Sequence, residues 1–92
     1  MELNVLKKED NLLKIEFKGE SIGFVNLIEE ELWNDNSVDE AACIKEHPYM
    51  SEPKIYLKTK RKDPKIVLED AIKRIEVKLK DLEEEFKRAL KD

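Results

Sequence analysis

The closing stretch Asp63–Leu90, DPKIVLEDAIKRIEVKLKDLEEEFKRAL, reads as one uninterrupted helix. Asp63 is a good N-cap, Pro64 suits the first helical position, and no further Gly or Pro follows before the terminus. Apolar residues recur at Leu68, Ile72, Ile75, Leu79, Leu82 and Phe86, alternating steps of four and three. That is a seam of period near 3.5, narrower than the broad stripe of an ordinary core helix. Glu69–Lys73, Glu76–Lys80, Glu83–Lys87 and Glu84–Arg88 each set an acid four residues before a base, the favourable orientation for helix support. The roughly 27 residues from Pro64 to Leu90 span ~40 Å at ~1.5 Å per residue. A compact chain of this size has a diameter of roughly 32 Å. The helix is therefore expected to overrun its own globule while its apolar seam continues. Leaving Leu79, Leu82 and Phe86 in water forfeits ~1.5–3 kcal/mol per side chain, so a partner surface is expected to cover them.

Upstream, the pattern changes period. Leu3 and Val5 mark a short strand ended by the polar run Lys7 to Asn11, with Asp10-Asn11 as a hairpin turn. Leu13, Ile15 and Phe17 alternate with charged residues in a second strand that stops at Gly19. A first helix is predicted from Ile22 to Trp33, capped by Ser21, with Phe24, Leu27, Ile28 and Leu32 on one face. Glu29, Glu30 and Glu31 fan around that helix and read as solvated. Asn34-Asp35-Asn36-Ser37 ends it. Val38 to Glu46 reads as a third strand closed by His47-Pro48, and Ile55, Leu57 and Thr59 mark a fourth. The fold class is α+β: a small four-stranded, mainly antiparallel sheet with two helices on one face, in the order β-β-α-β-β-α, the last helix long. Residues 1–92 are expected to form a single domain.

Composition narrows the function. Charged residues make up 43% of the 92-residue chain and the net charge is -4, a balance that argues against general polyanion binding. With one Cys and one His, the chain offers no internal disulfide and no metal-ligand spacing. His47 lacks identifiable catalytic partners, Cys43 sits in an apolar strand, and with two glycines in all there is no phosphate loop. No cofactor, metal or catalytic residue is expected. Apolar runs too short to span a bilayer, and the lack of a signal-type N-terminus, give a cytoplasmic expectation. The basic run Lys54, Lys58, Lys60, Arg61 and Lys62, with Tyr56 interleaved, could face a phosphate backbone, but lysines commonly guard an open sheet face or edge. What remains is assembly. The candidate interface comprises Phe24, Leu27, Ile28 and Leu32 of the first helix with Leu68, Ile72, Ile75, Leu79, Leu82 and Phe86 of the last, and a partner offering two similar helices would close it.

The residues resemble a known family, archaeal RNA polymerase subunit L, counterpart of the small eukaryotic polymerase assembly subunits. The likeness runs from Met1 to about Leu82. It is carried by Gly19-Glu20 with Phe24, Asn26-Leu27 and Glu30-Glu31-Leu32, by Val38 with Ala41-Ala42 and His47-Pro48, and by Asp63-Pro64 with Leu68 and Ala71. The family's polar triplet is replaced by Ser21-Ile22-Gly23, and Glu29 stands where a basic residue is usual. The resemblance implies a non-catalytic subunit that heterodimerises with the larger D-type subunit of the RNA polymerase, in a pair related to the bacterial alpha-subunit dimer. That pair is the platform on which the catalytic subunits assemble, with no sequence-specific nucleic-acid contact by this chain. A free-standing homodimeric scaffold or regulator of similar fold is the alternative, and the isolated subunit could also pair with itself. A small enzyme like the pterin dehydratases would need a histidine cluster that His47 alone cannot supply.

Overall fold

The computed structural model describes residues 2–45 and 51–91. Its elements are β1 (Glu2–Glu9), β2 (Leu12–Lys18), α1 (Ile22–Leu32), β3 (Val38–Ile44), β4 (Lys54–Thr59) and α2 (Pro64–Leu90). The four strands form one sheet in the order β1-β2-β4-β3 with every ladder antiparallel. The α1 crossover therefore carries the chain from β2 past the slot that β4 later fills.

Alternation on the inner strands decides which face is core. Leu13 pairs with Leu57 and Ile15 with Ile55 across β2 and β4, and Ala41 and Cys43 of β3 continue those two rows. Leu13, Ile15, Phe17, Ile55 and Leu57 are buried and form one cluster with Val25, Ile28 and Leu32 of α1 and Val67, Leu68, Ala71 and Ile75 of α2. Both helices thus cover the same side of the sheet, and their apolar faces supply the driving force for closing it. Thr59, next in the alternation, is buried too. Its hydroxyl donates to the Lys62 carbonyl and accepts from Asn11 Nδ2, tying the β1–β2 turn to the entry of α2. Gly19 follows β2 at φ 77°, a left-handed conformation that a side chain would strain.

The expected elements are all present, with differences in detail. The first strand does not stop at Lys7 but runs to Glu9, because β2 supplies a full ladder and the register slips once, between Val5 and Lys7. α1 ends at Leu32 with Trp33 as its C-cap, and Ser21 Oγ accepts from the Phe24 amide as the cap sequence predicts. Its inner face is centred on Val25, Ile28 and Leu32, so Val25 joins the core while Leu27 turns outward. The reason is the ~100° step per helical residue, which puts Leu27 beyond the sheet-facing arc. Glu46 and the His47-Pro48 turn lie outside the described residues.

Phe17 has no exposed surface and is among the largest of the fully buried side chains. Phe17→Ala is expected to lower stability by about 3–5 kcal/mol, read as a lower urea midpoint at unchanged slope.

Candidate protein-docking interface

α2 divides into two halves of different character. Asp63 Oδ1 accepts from the Lys65 amide at 2.9 Å and Pro64 occupies the first turn, so the helix starts where the sequence places it. Pro64, Val67, Leu68, Ala71 and Ile75 are buried against the sheet and α1. From Glu76 to Lys91 every residue is exposed. The seam does not end with the globule: Leu79, Leu82 and Phe86 continue the line of Leu68 and Ile75, with Leu82 65% and Phe86 63% exposed. Val77 and Leu90 add exposed apolar surface outside the 3.5-residue seam.

Beside the point where α2 leaves the globule, α1 contributes Leu27. Leu27, Ile75, Leu79 and Leu82 line an open cavity of about 280 Å³ rimmed by Glu30, Glu31, Asn34 and Lys78. Its shape is a cleft between two helices, apolar on its floor and polar on its rim, as protein interfaces are.

One side chain holds that cleft at its angle. Glu31 is only 5% exposed although it follows two other glutamates on the helix. It is not solvated as expected. One step beyond Glu30 turns its carboxylate towards α2, where Oε2 accepts from Arg74 Nε at 3.0 Å and from Asn34 Nδ2 at 2.8 Å. Lys78 Nζ donates to its other oxygen, and Arg74 also donates to the Glu31 carbonyl at 3.2 Å. The Asn34 hydrogen bond and then that of Lys78 lower the Glu31 pKa from its ordinary 4.5 to about 2, against burial that raises it, with Arg74 adding a further lowering. The sequence does not single Glu31 out, since Glu29, Glu30 and Glu31 have Trp33, Asn34 and Asp35 four residues on, none of them a base.

The candidate residues separate into three groups. Ile28, Leu32, Leu68 and Ile75, expected at the interface, are instead buried in the chain's own core, beneath the exposed seam. Phe24 and Ile72 are partly buried against that core. Leu27, Leu79, Leu82 and Phe86 remain exposed, and the first three meet at the cleft. On the outer side of α2 Lys87 pairs with Glu83 at 3.2 Å as expected, while Arg88 reaches Glu85 at 2.8 Å rather than the expected Glu84.

Other chemistry is dispersed. Lys58 faces Asp39 at 3.9 Å, Lys62 faces Asp35 at 4.0 Å, and Lys54 is buried, so the basic run is not one continuous patch. Asp35, whose carboxylate accepts from the Ser37 hydroxyl and amide, has its pKa lowered chiefly by those bonds. Cys43 packs against the core, and burial, with a smaller contribution from Glu29, raises its thiol pKa. Among the described residues no cluster of His, Cys, Asp and Glu could hold a metal, and no helix is long and apolar enough to cross a membrane.

Comparison with known proteins bears on this geometry. Residues 12–85 match the family model described as the RNA polymerase Rpb3/Rpb11 dimerisation domain. DNA-directed RNA polymerase subunit Rpo11 of Methanothrix thermoacetophila is 43% identical over 75 residues, 82% of each chain. The protein of the same name from Methanosarcina acetivorans is 39% identical over 70 residues, 76% of each chain. The crystal structure of DNA-directed RNA polymerase subunit L from Thermoplasma acidophilum superimposes with a TM-score of 0.86 at 28% identity, covering 95% of this chain and 86% of that one.

Glu31→Gln is expected to cost about 2 kcal/mol at neutral pH, through weakened hydrogen bonds to two cations. Because the folded pKa of Glu31 lies below its ordinary value, its stabilisation is complete above pH 4.5 and fades as pH falls towards 2. The difference between wild type and variant, measured by urea unfolding, should shrink across that window. A difference unchanged down to pH 2 would contradict an ionised, clamped Glu31.

Proposed function

The chain belongs to the RNA polymerase Rpb3/Rpb11 dimerisation-domain family, and on that premise we propose that it is a non-catalytic subunit of an archaeal-type DNA-directed RNA polymerase. Residues 1–92 act as one dimerisation domain whose partner is the larger, D-type subunit of that polymerase. The pair is the platform on which the catalytic subunits assemble. The observation that carries this reading is the exposed seam Leu79–Leu82–Phe86 running past the globule beside Leu27 of α1.

The physical argument is one of unmet burial. Three large side chains on a rigid helix forfeit ~1.5–3 kcal/mol each while they stay in water. The α2 helix makes them cheap to bury, since its backbone is already ordered and association need freeze little more than rotamers. A partner presenting its own helix pair would fill the cleft between Leu27 and Leu79 and extend along Leu82 and Phe86. Ile28, Leu32, Leu68 and Ile75 contribute from below by fixing the two helices. The polar rim of Glu30, Asn34 and Lys78 would stay wet and select orientation, as rim charges do. Catalytic groups are not needed for this role, and the dispersed charge on β4 leaves nucleic acid to the other polymerase subunits.

Leu79→Glu combined with Leu82→Glu is expected to abolish co-elution with the D-type polymerase subunit on size-exclusion chromatography. The far-UV circular dichroism of the chain alone should be unchanged, because neither side chain belongs to its core. Undiminished binding by the double variant would show that the overhanging helix is not the interface.

A further inference from the structure

β1 and β3 close the two edges of the sheet, and they are finished differently. On β1 the register slips between Val5 and Lys7, and Lys7 pairs with Glu9 at 3.5 Å, features that discourage addition of another strand. On β3 the slip falls between Val38 and Glu40, and from Glu40 to Ile44 the ladder with β4 is regular. Ala41-Ala42-Cys43-Ile44 brings neither charge nor proline to that edge. The register fixes which main-chain groups look outward. The Phe17 amide donates to the Pro53 carbonyl and the Thr59 amide to the Asn11 carbonyl, each at 2.9 Å, so Ile55, Leu57 and Thr59 turn their main-chain groups to β2. Lys54, Tyr56 and Lys58 turn theirs to Ile44, Ala42 and Glu40, which leaves the amides and carbonyls of Ala41 and Cys43 pointing out of the sheet. Among the described residues no backbone hydrogen bond reaches either of them from beyond the edge.

The helix above this edge adds side chains to it. Val25, Ile28 and Leu32 of α1 face the sheet and Glu31 reaches α2, so the ~100° step per residue puts Glu29 and Trp33 on the opposite flank. That flank looks over β3, on which α1 packs. Burial first, and the Glu29 carboxylate second, raise the pKa of the Cys43 thiol, which places Glu29 beside the strand. Trp33 is half exposed, and its Nε1 donates to Glu29 Oε1 at 3.1 Å, so indole and carboxylate are held as one unit. Glu40, one step before Ala41 in the alternation, sets a second carboxylate on the open face of the sheet. Asp39 already faces Lys58 at 3.9 Å, and Lys45 lies past the end of the strand.

We propose that the outer edge of β3 is a docking site for an extended segment of another polypeptide, which adds to the sheet as a further strand and sets an arginine or lysine against Trp33 and Glu29. The outward amides and carbonyls of Ala41 and Cys43 supply the main-chain pairing. Charge selects the occupant. Consecutive residues of a strand point to opposite faces, so two adjacent basic residues reach Glu29 on the helix side and Glu40 on the open side. The indole adds a cation–π contact to the first of them. A second copy of this chain is a poor occupant, because it would bring its own Glu29 and Glu40 to the same edge.

This site lies on the flank of α1 away from the α2 seam, so the inference does not depend on the identity of the polymerase partner. Trp33 is the chain's one tryptophan, and its fluorescence reports the site directly. A short synthetic peptide of valine and threonine, with adjacent arginine and lysine at its centre, should shift Trp33 emission saturably. Hydrogen exchange at the Ala41 and Cys43 amides should slow in the same titration, with β1 unaffected. Glu29→Lys should weaken the peptide at least about tenfold by reversing the charge that faces it. Ala41→Pro removes an outward amide and no ladder bond, and should abolish binding with the far-UV circular dichroism unchanged. Glu29→Lys lies outside the core and keeps the test decisive should Ala41→Pro disturb the strand. Emission that does not saturate, equal binding of a peptide with glutamate in place of arginine and lysine, protection on β1 or along α2 instead of at Ala41 and Cys43, full affinity in Glu29→Lys, or edge-to-edge dimers through β3 would each overturn the proposal. Co-elution with the D-type polymerase subunit, assayed separately, is untouched by any of those outcomes.

Discussion

The arrangement of this molecule depends on a carboxylate held between two helices. Glu31 leaves α1 and meets Arg74 and Lys78 one turn apart on α2, at the place where α2 begins to run clear of the sheet. A buried charge with its partner removed is costly, whereas a charge that receives hydrogen bonds from two cations and an amide is tolerated and directional. Apolar contacts among Ile28, Leu32, Ala71 and Ile75 would hold the helices together at a range of angles. The Glu31 cluster narrows that range, and with it the width of the cleft lined by Leu27 and Leu79. Among the described residues no buried side-chain nitrogen or oxygen lacks a hydrogen-bond partner, so this polar inclusion is fully satisfied.

The second constraint is one of scale. A Cα radius of gyration of 14.9 Å exceeds the ~12 Å expected for a compact chain of this length, and the long dimension of 51 Å is set by α2. Four short strands and an 11-residue helix cannot cover a 27-residue helix. The sheet supplies burial only as far as Ile75, and charged flanks keep the remainder helical and dispersed in water while its seam awaits another surface. Strength and incompleteness therefore come from the same element.

The sheet shows the same economy. Its inner strands are well covered and its first strand is barely covered, so the apolar surface left over is found in two places, on the distal seam of α2 and above β1. Both border one helix, α2. The chain is 43% identical to an archaeal polymerase subunit over 82% of its length.

Much of this was legible in the residues. The period of two in Leu13-Ile15-Phe17 and Ile55-Leu57-Thr59 identified the core strands, the Ser21 and Asp63 caps marked where both helices begin, and the 3.5-residue seam showed how far α2 runs and which side of it is apolar. These are local properties, set by backbone geometry and cap hydrogen bonds that require no neighbour. Three features could not be read in that way. Glu31 looked like one of three solvated acids, and only the position of α2 gave it Arg74 and Lys78. Phe24, Leu27 and Ile28 looked like one core face, and only the seating of α1 on the sheet put Val25 in the core, left Phe24 partly buried and turned Leu27 outward. Leu3 and Val5 alternate as core residues do, yet α2 passes one strand short of them. In each case the periodicity identifies an apolar or charged face, but which faces meet is decided by the crossing of the helices over a twisted sheet, a relation between residues far apart in the chain.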